Sequence, residues 1–182
     1  MKHGRILMAN DVELTLKEAE KSDAQGLLVM LRQARQETDY FVVEERSLNK
    51  SKEVLATELS RIKESAEHLL FLACVKKQVV GVVSVAPKPD LPRHGEIGIS
   101  ILKEYWGMGL GTILLEEAII WATENARFST LVLDVLAGNQ RAINLYQKMG
   151  FQEETQSVDS SRRQGQSLAI IKMKRTIEHK IN

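Results

Sequence analysis

Apolar residues recur at two different periods along this chain, and the changes of period mark its elements. Leu14 and Leu16 alternate with polar neighbours and predict a first strand over Leu14 to Glu20. Asp23 offers a helix cap, and Ala24, Leu27, Leu28 and Leu31 follow at helical spacing. The next stretch, QETDYFVVEERSLNK, has no clear period. Ser51 caps a second predicted helix with Val54, Leu55, Leu59, Ile62 and Ala66 on its apolar face. Two β-rich runs, Leu69 to Val75 and Gln78 to Ala86, flank Lys76-Lys77 and read as an antiparallel hairpin. Pro87, Pro89 and Pro92 then mark a loop that ends the hairpin strand.

The second half changes rhythm. Gly95 to Leu102 predicts a strand, a glycine-rich turn follows, and a helix runs from about Leu110 to Asn125. Thr130 to Leu136 predicts another strand. Asn139 caps a helix that stops at Met149-Gly150, where glycine can take the left-handed conformation. An extended run begins at Phe151, and Ser167 to Met173 supplies a last strand. The predicted order is β-α-α-β-β-β-α-β-α-β-β. Strand–helix–strand units imply parallel pairing in the second half, and the hairpin implies antiparallel pairing before it. The natural packing is a mixed, twisted α/β sheet with helices on both faces.

Composition narrows the function classes. At about 150 residues per domain, a chain of 182 residues predicts one domain over 1–182. Lys plus Arg number 25 and Asp plus Glu 24, so the basic excess that non-specific nucleic-acid binding needs is missing, and no nucleic-acid partner is expected. The lone cysteine, Cys74, cannot form an intramolecular disulfide, and within LLFLACV it reads as a small buried hydrophobe. The longest apolar runs, LLFLACV and VVGVVSVA, fall well short of the ~20 residues that span a bilayer. MKHGRILMAN lacks the apolar core of a signal peptide, so a cytoplasmic protein with no membrane partner is expected. His3, His68, His94 and His179 are scattered, and no metal site is expected.

Chemistry concentrates at Trp106-Gly107-Met108-Gly109-Leu110-Gly111-Thr112, which follows a strand and opens a helix. The first amides of a helix lack intrahelical acceptors and carry the positive end of its dipole. Glycines let a phosphate approach them, so a pyrophosphate-bearing ligand is implied, against the plainer alternative of a tight turn. The Walker pattern is absent. The dinucleotide pattern fails because Thr112 stands where its third glycine belongs. Asp134, at the end of the next strand, keeps a nicotinamide cofactor as a weaker alternative.

The turn and a second block, VLAGNQRAINLYQKMGF over Val135 to Phe151, together resemble the GNAT acetyltransferase superfamily. The turn is similar to that family's acyl-CoA loop, Q/R-x-x-G-x-G/A, with Trp106 in the Gln/Arg place, so the phosphate contact of an arginine there is missing. In the second block Val135, Asn139, Ala142, Ile143, Leu145, Tyr146, Lys148, Gly150 and Phe151 match the family's signature. The resemblance covers Glu13 to about Arg175. It implies a single GNAT-like domain with a mixed, mostly antiparallel twisted sheet, acetyl-CoA as cosubstrate, and transfer of the acetyl group to a primary amine on a small molecule or peptide. A non-catalytic acyl-CoA-binding or sensing protein on the same scaffold is the rival. Members are often dimers, and the subunit count stays open.

The resemblance also assigns roles. The loop Trp106, Gly107, Met108, Gly109, Leu110, Gly111 and Thr112 would hold the diphosphate. Main-chain groups of Ile99, Ser100 and Ile101 would meet the pantetheine arm in a gap between that strand and the next, and an N–H near Ile101 would polarise the thioester carbonyl. Asn139, Ala142, Ile143 and Tyr146 fall on one helical stripe. Asn139 and Ala142 are expected at the pantetheine and Tyr146 at the sulfur; capping and packing alone are the plainer reading. Tyr146 is a better hydrogen-bond donor than acid, because a phenol at ~10 sits above a thiol at ~8.5. Glu96, or else Asp134, is the expected base. Glu37, Asp39, Tyr40, Glu44 and Glu45 suggest a preference for a cationic amine; a solvated acidic loop is the alternative.

Overall fold

The computed structural model describes residues 4–7, 13–40, 48–163 and 166–179. Strands β1 (Gly4–Leu7) and β2 (Glu13–Glu18) pair antiparallel at one edge. Helices α1 (Ala24–Glu37) and α2 (Lys52–Glu64) follow. Strands β3 (Leu69–Val75), β4 (Gln78–Pro87) and β5 (His94–Ile101) form an antiparallel meander. Helix α3 (Leu110–Glu124) leads to β6 (Thr130–Leu136), and α4 (Gln140–Lys148) leads to β7 (Gln152–Arg163) and β8 (Gln166–Thr176). One sheet results, in the order β1-β2-β3-β4-β5-β6-β8-β7. The mixed, mostly antiparallel sheet with helices on both faces is the fold expected from the sequence.

Two features of the sheet differ from the sequence expectation. An extra edge strand, β1, precedes the first predicted one. The last two strands return as a hairpin, so β8 inserts between β6 and β7. Only the first strand–helix–strand unit therefore yields a parallel pair, β5 with β6. Asp23 also acts differently from a simple cap. Its carboxylate accepts the Glu20 N–H at 2.9 Å and pairs with Lys17, closing a reciprocal box around a short turn before α1. Ser51 caps α2 as expected, its hydroxyl oxygen accepting the Val54 N–H at 3.3 Å.

The β3–β4 turn is made by Lys76 (φ 49°) and Lys77 (φ 70°). Two consecutive left-handed residues give a turn whose twist matches that of the strands it joins. A bulge then shifts the register between Ala73 and Cys74, so Val79 and Gly81 face opposite sides. A Cβ on Gly26 of α1 would touch Val79, and one on Gly81 would touch Leu114 of α3. The sheet is thus sandwiched, with α1 on one side and α3 on the other. Leu14, Leu16, Leu28, Leu59, Phe71 and Leu72 are buried on or against the first half of the sheet; Leu110, Leu114 and Leu115 seal α3. No helix among the described residues is long and apolar enough to cross a membrane.

Candidate active site

β5 and β6 pair over three rungs only, from His94–Thr130 to Glu96–Val132. Beyond that point β5 stays with β4 as far as Ile101–Gly81, and β6 stays with β8 as far as Leu136–Ile170. The two strands separate into a fork, opening at the ends that carry the glycine turn and α4.

Main-chain alternation decides which groups face the fork. The Leu102 N–H donates to the Val80 carbonyl at 3.0 Å, so alternate residues of β5 bond to β4. Ser100 is one of them. Ile99 and Ile101 turn their N–H groups the other way, into the fork. On β6, the Ala137 N–H donates to the Ala169 carbonyl of β8 at 2.9 Å. The main chains of Asp134 and Leu136 therefore face the fork from its other bank.

At the open end the chain passes through Trp106, whose indole N–H donates to the Ile101 carbonyl at 2.9 Å. Gly107 (φ 80°) and Gly109 (φ 84°) adopt the left-handed conformation, and a Cβ on either would meet nothing within 4 Å. These two glycines are required by backbone geometry, and the space over them is open. Gly109 is the N-cap of α3; among the described residues no side chain caps that helix, and no acidic residue lies in its first turn. Its leading amides are thus an uncompensated positive end. Leu110 is fully buried and anchors the turn, Met108 packs on the core, and Thr112 is half-buried. Gly111 has a different reason to be glycine: a Cβ there would lie 2.8 Å from Leu145 Cδ2. Its missing side chain lets α3 and α4 approach.

Helix α4 carries the stripe predicted for it. Asn139 caps it, its side-chain oxygen accepting the Ala142 N–H at 3.2 Å. The amide nitrogen of Asn139 has no partner among the described residues. Ile143 and Tyr146 are buried, and Ala142 is half-buried. Tyr146 is 7% exposed, meets Phe151 edge-on, and makes no hydrogen bond through its hydroxyl among the described residues. Burial pushes its phenol up to about 12.

The two carboxylates share the face away from α3. Glu96 stands on the last paired rung, at the base of the fork, and Asp134 lies two residues further along β6 from Val132, its partner on that rung. Lys88 Nζ approaches Glu96 Oε1 at 2.6 Å, a partner that the proline-rich loop concealed in the sequence. Glu37 and Tyr40 also acquire places. Glu37 accepts the Lys103 N–H at 2.6 Å, just past β5, and the Tyr40 ring sits 3.2 Å from where a Gly138 Cβ would be, just past β6. The end of α1 thus spans both banks of the fork. Glu44 and Glu45 lie outside the described residues. Cys74 is buried, and desolvation holds its thiol above the usual range. Among the described residues no group of His, Cys, Asp and Glu could hold a metal ion.

Sequence reasoning overlooked Arg141. Its guanidinium lies 5.0 Å from the centroid of the Trp106 ring. The only signal was its place inside the NQRAI segment, between two expected ligand-facing residues.

Residues 29–151 match the model of the Acetyltransferase (GNAT) family. An N-alpha-acetyltransferase of Sulfurisphaera tokodaii is 32% identical over 97 residues, which span 48% of this chain and 58% of that protein, so the chain spans little more than half of that relative's length. A crystal structure of a GNAT-family acetyltransferase from Streptococcus pneumoniae superposes with a TM-score of 0.84 at 30% identity, covering 91% of this chain and 100% of that one. A Salmonella typhimurium protein whose structure holds acetyl-CoA as its cofactor superposes with a TM-score of 0.79 at 16% identity, covering 93% of this chain and 96% of that one.

Proposed function

The chain belongs to the acetyltransferase (GNAT) family, and from that premise we propose that it transfers the acetyl group of acetyl-CoA directly to a primary amine. The unit that does so is a single acetyltransferase domain with its core at about 13–175. The observation that carries this reading is the fork, which ends at bare helix amides and is lined by outward-facing main-chain donors. A slot of that kind fits an extended amide-bearing arm with a diphosphate at its end.

Each residue then has a task. The amides at Gly109 to Gly111 hold the diphosphate, and the open surface over Gly107 and Gly109 admits it. Ile99 and Ile101 N–H groups pair with the arm like a neighbouring strand, and the Ile101 N–H polarises the thioester carbonyl. Trp106 occupies the Ile101 carbonyl, leaving the N–H as the group on offer. Ser100 lies between them, its main-chain groups turned toward β4 rather than toward the arm. Asn139 presents its amide nitrogen, and Ala142 leaves room beside it.

The cosubstrate supplies an activated acyl carbon: the amine nitrogen bonds to it, the carbon–sulfur bond breaks, and the thiolate leaves. Tyr146 donates a hydrogen bond to that sulfur. With its phenol near 12 and a thiol at ~8.5, full proton transfer would be uphill by about 5 kcal/mol, so the tyrosine stabilises rather than protonates. A lysine-like amine at ~10.4 is neutral less than ~0.1% of the time at pH 7, and a base must take its proton. Glu96 is that base, acting through Oε2, which is unpartnered among the described residues, or through water; Asp134 is the second candidate. Cys74, buried with its thiol held protonated, is unsuited to carry the acyl group. Direct transfer in a ternary complex follows.

Thiol release from acetyl-CoA in the presence of a panel of primary amines tests this. Amine-dependent release is expected. Tight CoA binding without turnover on any amine would favour the sensing alternative.

A further inference from the structure

Resting on the acyl-CoA reading above, we propose that Arg141, propped on Trp106, is a phosphate-binding side chain for the cosubstrate. It supplies the cation that the glycine turn itself lacks.

Two independent contacts place it. Arg141 and Leu145 are four residues apart on α4 and so share a face. Leu145 abuts Gly111 in the first turn of α3. One helical turn back, the Arg141 guanidinium stacks over the Trp106 ring. The face of α4 that carries both residues therefore runs along the glycine turn and the uncapped amides that follow it.

The stack is also held rigidly. The Trp106 indole N–H is fixed on the Ile101 carbonyl, so the ring cannot swing with the loop. A guanidinium over an indole face is oriented by the ring's negative π-cloud while its five N–H groups at the edge stay available. Among the described residues no carboxylate pairs with Arg141, and the side chain is exposed. Among the described residues its donors meet no acceptor, and the loop beside it, Trp106 to Thr112, contains no other side-chain cation. Planar forked donors suit phosphate better than a lysine would. The phosphate it takes is either part of the diphosphate or the 3′-phosphate on the ribose.

The test is the Kd of the full chain for CoA and for dephospho-CoA, each at low and high salt, with the wild type, R141Q, R141K and W106L. Loss of a charge-assisted contact at this site should raise the Kd of R141Q for CoA about 10-fold. R141K, which keeps charge without the planar fork, and W106L, which removes the prop, should fall between. If dephospho-CoA binding is unaffected by R141Q, the contact is to the 3′-phosphate. If both ligands weaken equally and the salt dependence of Kd becomes shallower, it is to the diphosphate. R141Q binding CoA as tightly as wild type would overturn the assignment and leave the acyl-CoA reading intact. So would an equal loss for both ligands with unchanged salt dependence. Wild type that fails to bind CoA at all would remove both.

Discussion

Tyr146 and Phe151 meet edge to face, with ring centroids 6.1 Å apart and planes inclined at 62°. Phe151 is itself buried, so the tyrosine ring is clamped while its hydroxyl has no partner among the described residues. A buried unpaired hydroxyl costs about 1–3 kcal/mol of stability, and Tyr146→Phe removes that cost without opening a cavity. The variant should be as stable as wild type or more so in chemical denaturation. Its kcat should fall about 10- to 1000-fold with little change in acetyl-CoA affinity. An unchanged kcat would retire Tyr146 as the donor to sulfur.

Alkaline stability gives a second check on the same residue. Its phenol is raised to about 12 in the folded protein by desolvation, against ~10 in an unfolded chain. Between those values the unfolded chain has released the proton and the folded one keeps it. The folded state then binds more protons, and stability falls as pH rises through this window. Below ~10 the group adds no pH dependence. Wild type should therefore lose about 1.4 kcal/mol more than Tyr146→Phe between pH 9 and pH 11. Parallel curves for the two proteins would show that the phenol is not desolvated.

The glycines of the turn separate into two kinds. Gly109→Ala forces a side chain into φ 84°, at a cost of about 1–2 kcal/mol, and puts a methyl group over the open phosphate surface. It should weaken CoA binding as well as lower Tm. Gly111→Ala crowds the flexible end of Leu145 and makes an ordinary contact with Ile101 Cδ1. It should change packing between α3 and α4 with a smaller loss of affinity. Calorimetric titration with CoA distinguishes them, and equal affinities for the two variants would place the phosphate elsewhere.

Tyr40 reaches Gly138 from the end of α1, across the mouth of the fork. Tyr40→Ala should raise the acceptor KM about 10-fold, the order of one lost side-chain contact, and leave the acetyl-CoA KM in place. A change in the acetyl-CoA KM alone would put Tyr40 on the cosubstrate side instead.

Much of this arrangement was legible in the chain, for local reasons. The Lys76-Lys77 turn, the Ser51 and Asn139 caps and the stripe ending at Tyr146 are decided by neighbours within a few residues, and a periodic pattern reports them. β1 escaped because GRIL is too short to show alternation. The insertion of β8 between β6 and β7 escaped because strand order depends on pairing between distant segments. The same limit hid the contacts of the site. Nothing near Glu96 in sequence announces Lys88, and nothing near Trp106 announces Arg141; both pairs exist only once the sheet and α4 are assembled. Nothing near Gly111 in sequence announces Leu145, whose approach from α4 gives that glycine a packing reason beside its place in the turn.

The most direct measurement is a crystal structure of the chain with CoA. The fork predicts the pantetheine arm between Ile99–Ile101 and β6, the diphosphate on the amides after Gly109, and the sulfur within hydrogen-bonding distance of the Tyr146 hydroxyl. An arm lying outside the fork, or a sulfur beyond the reach of Tyr146, would contradict it.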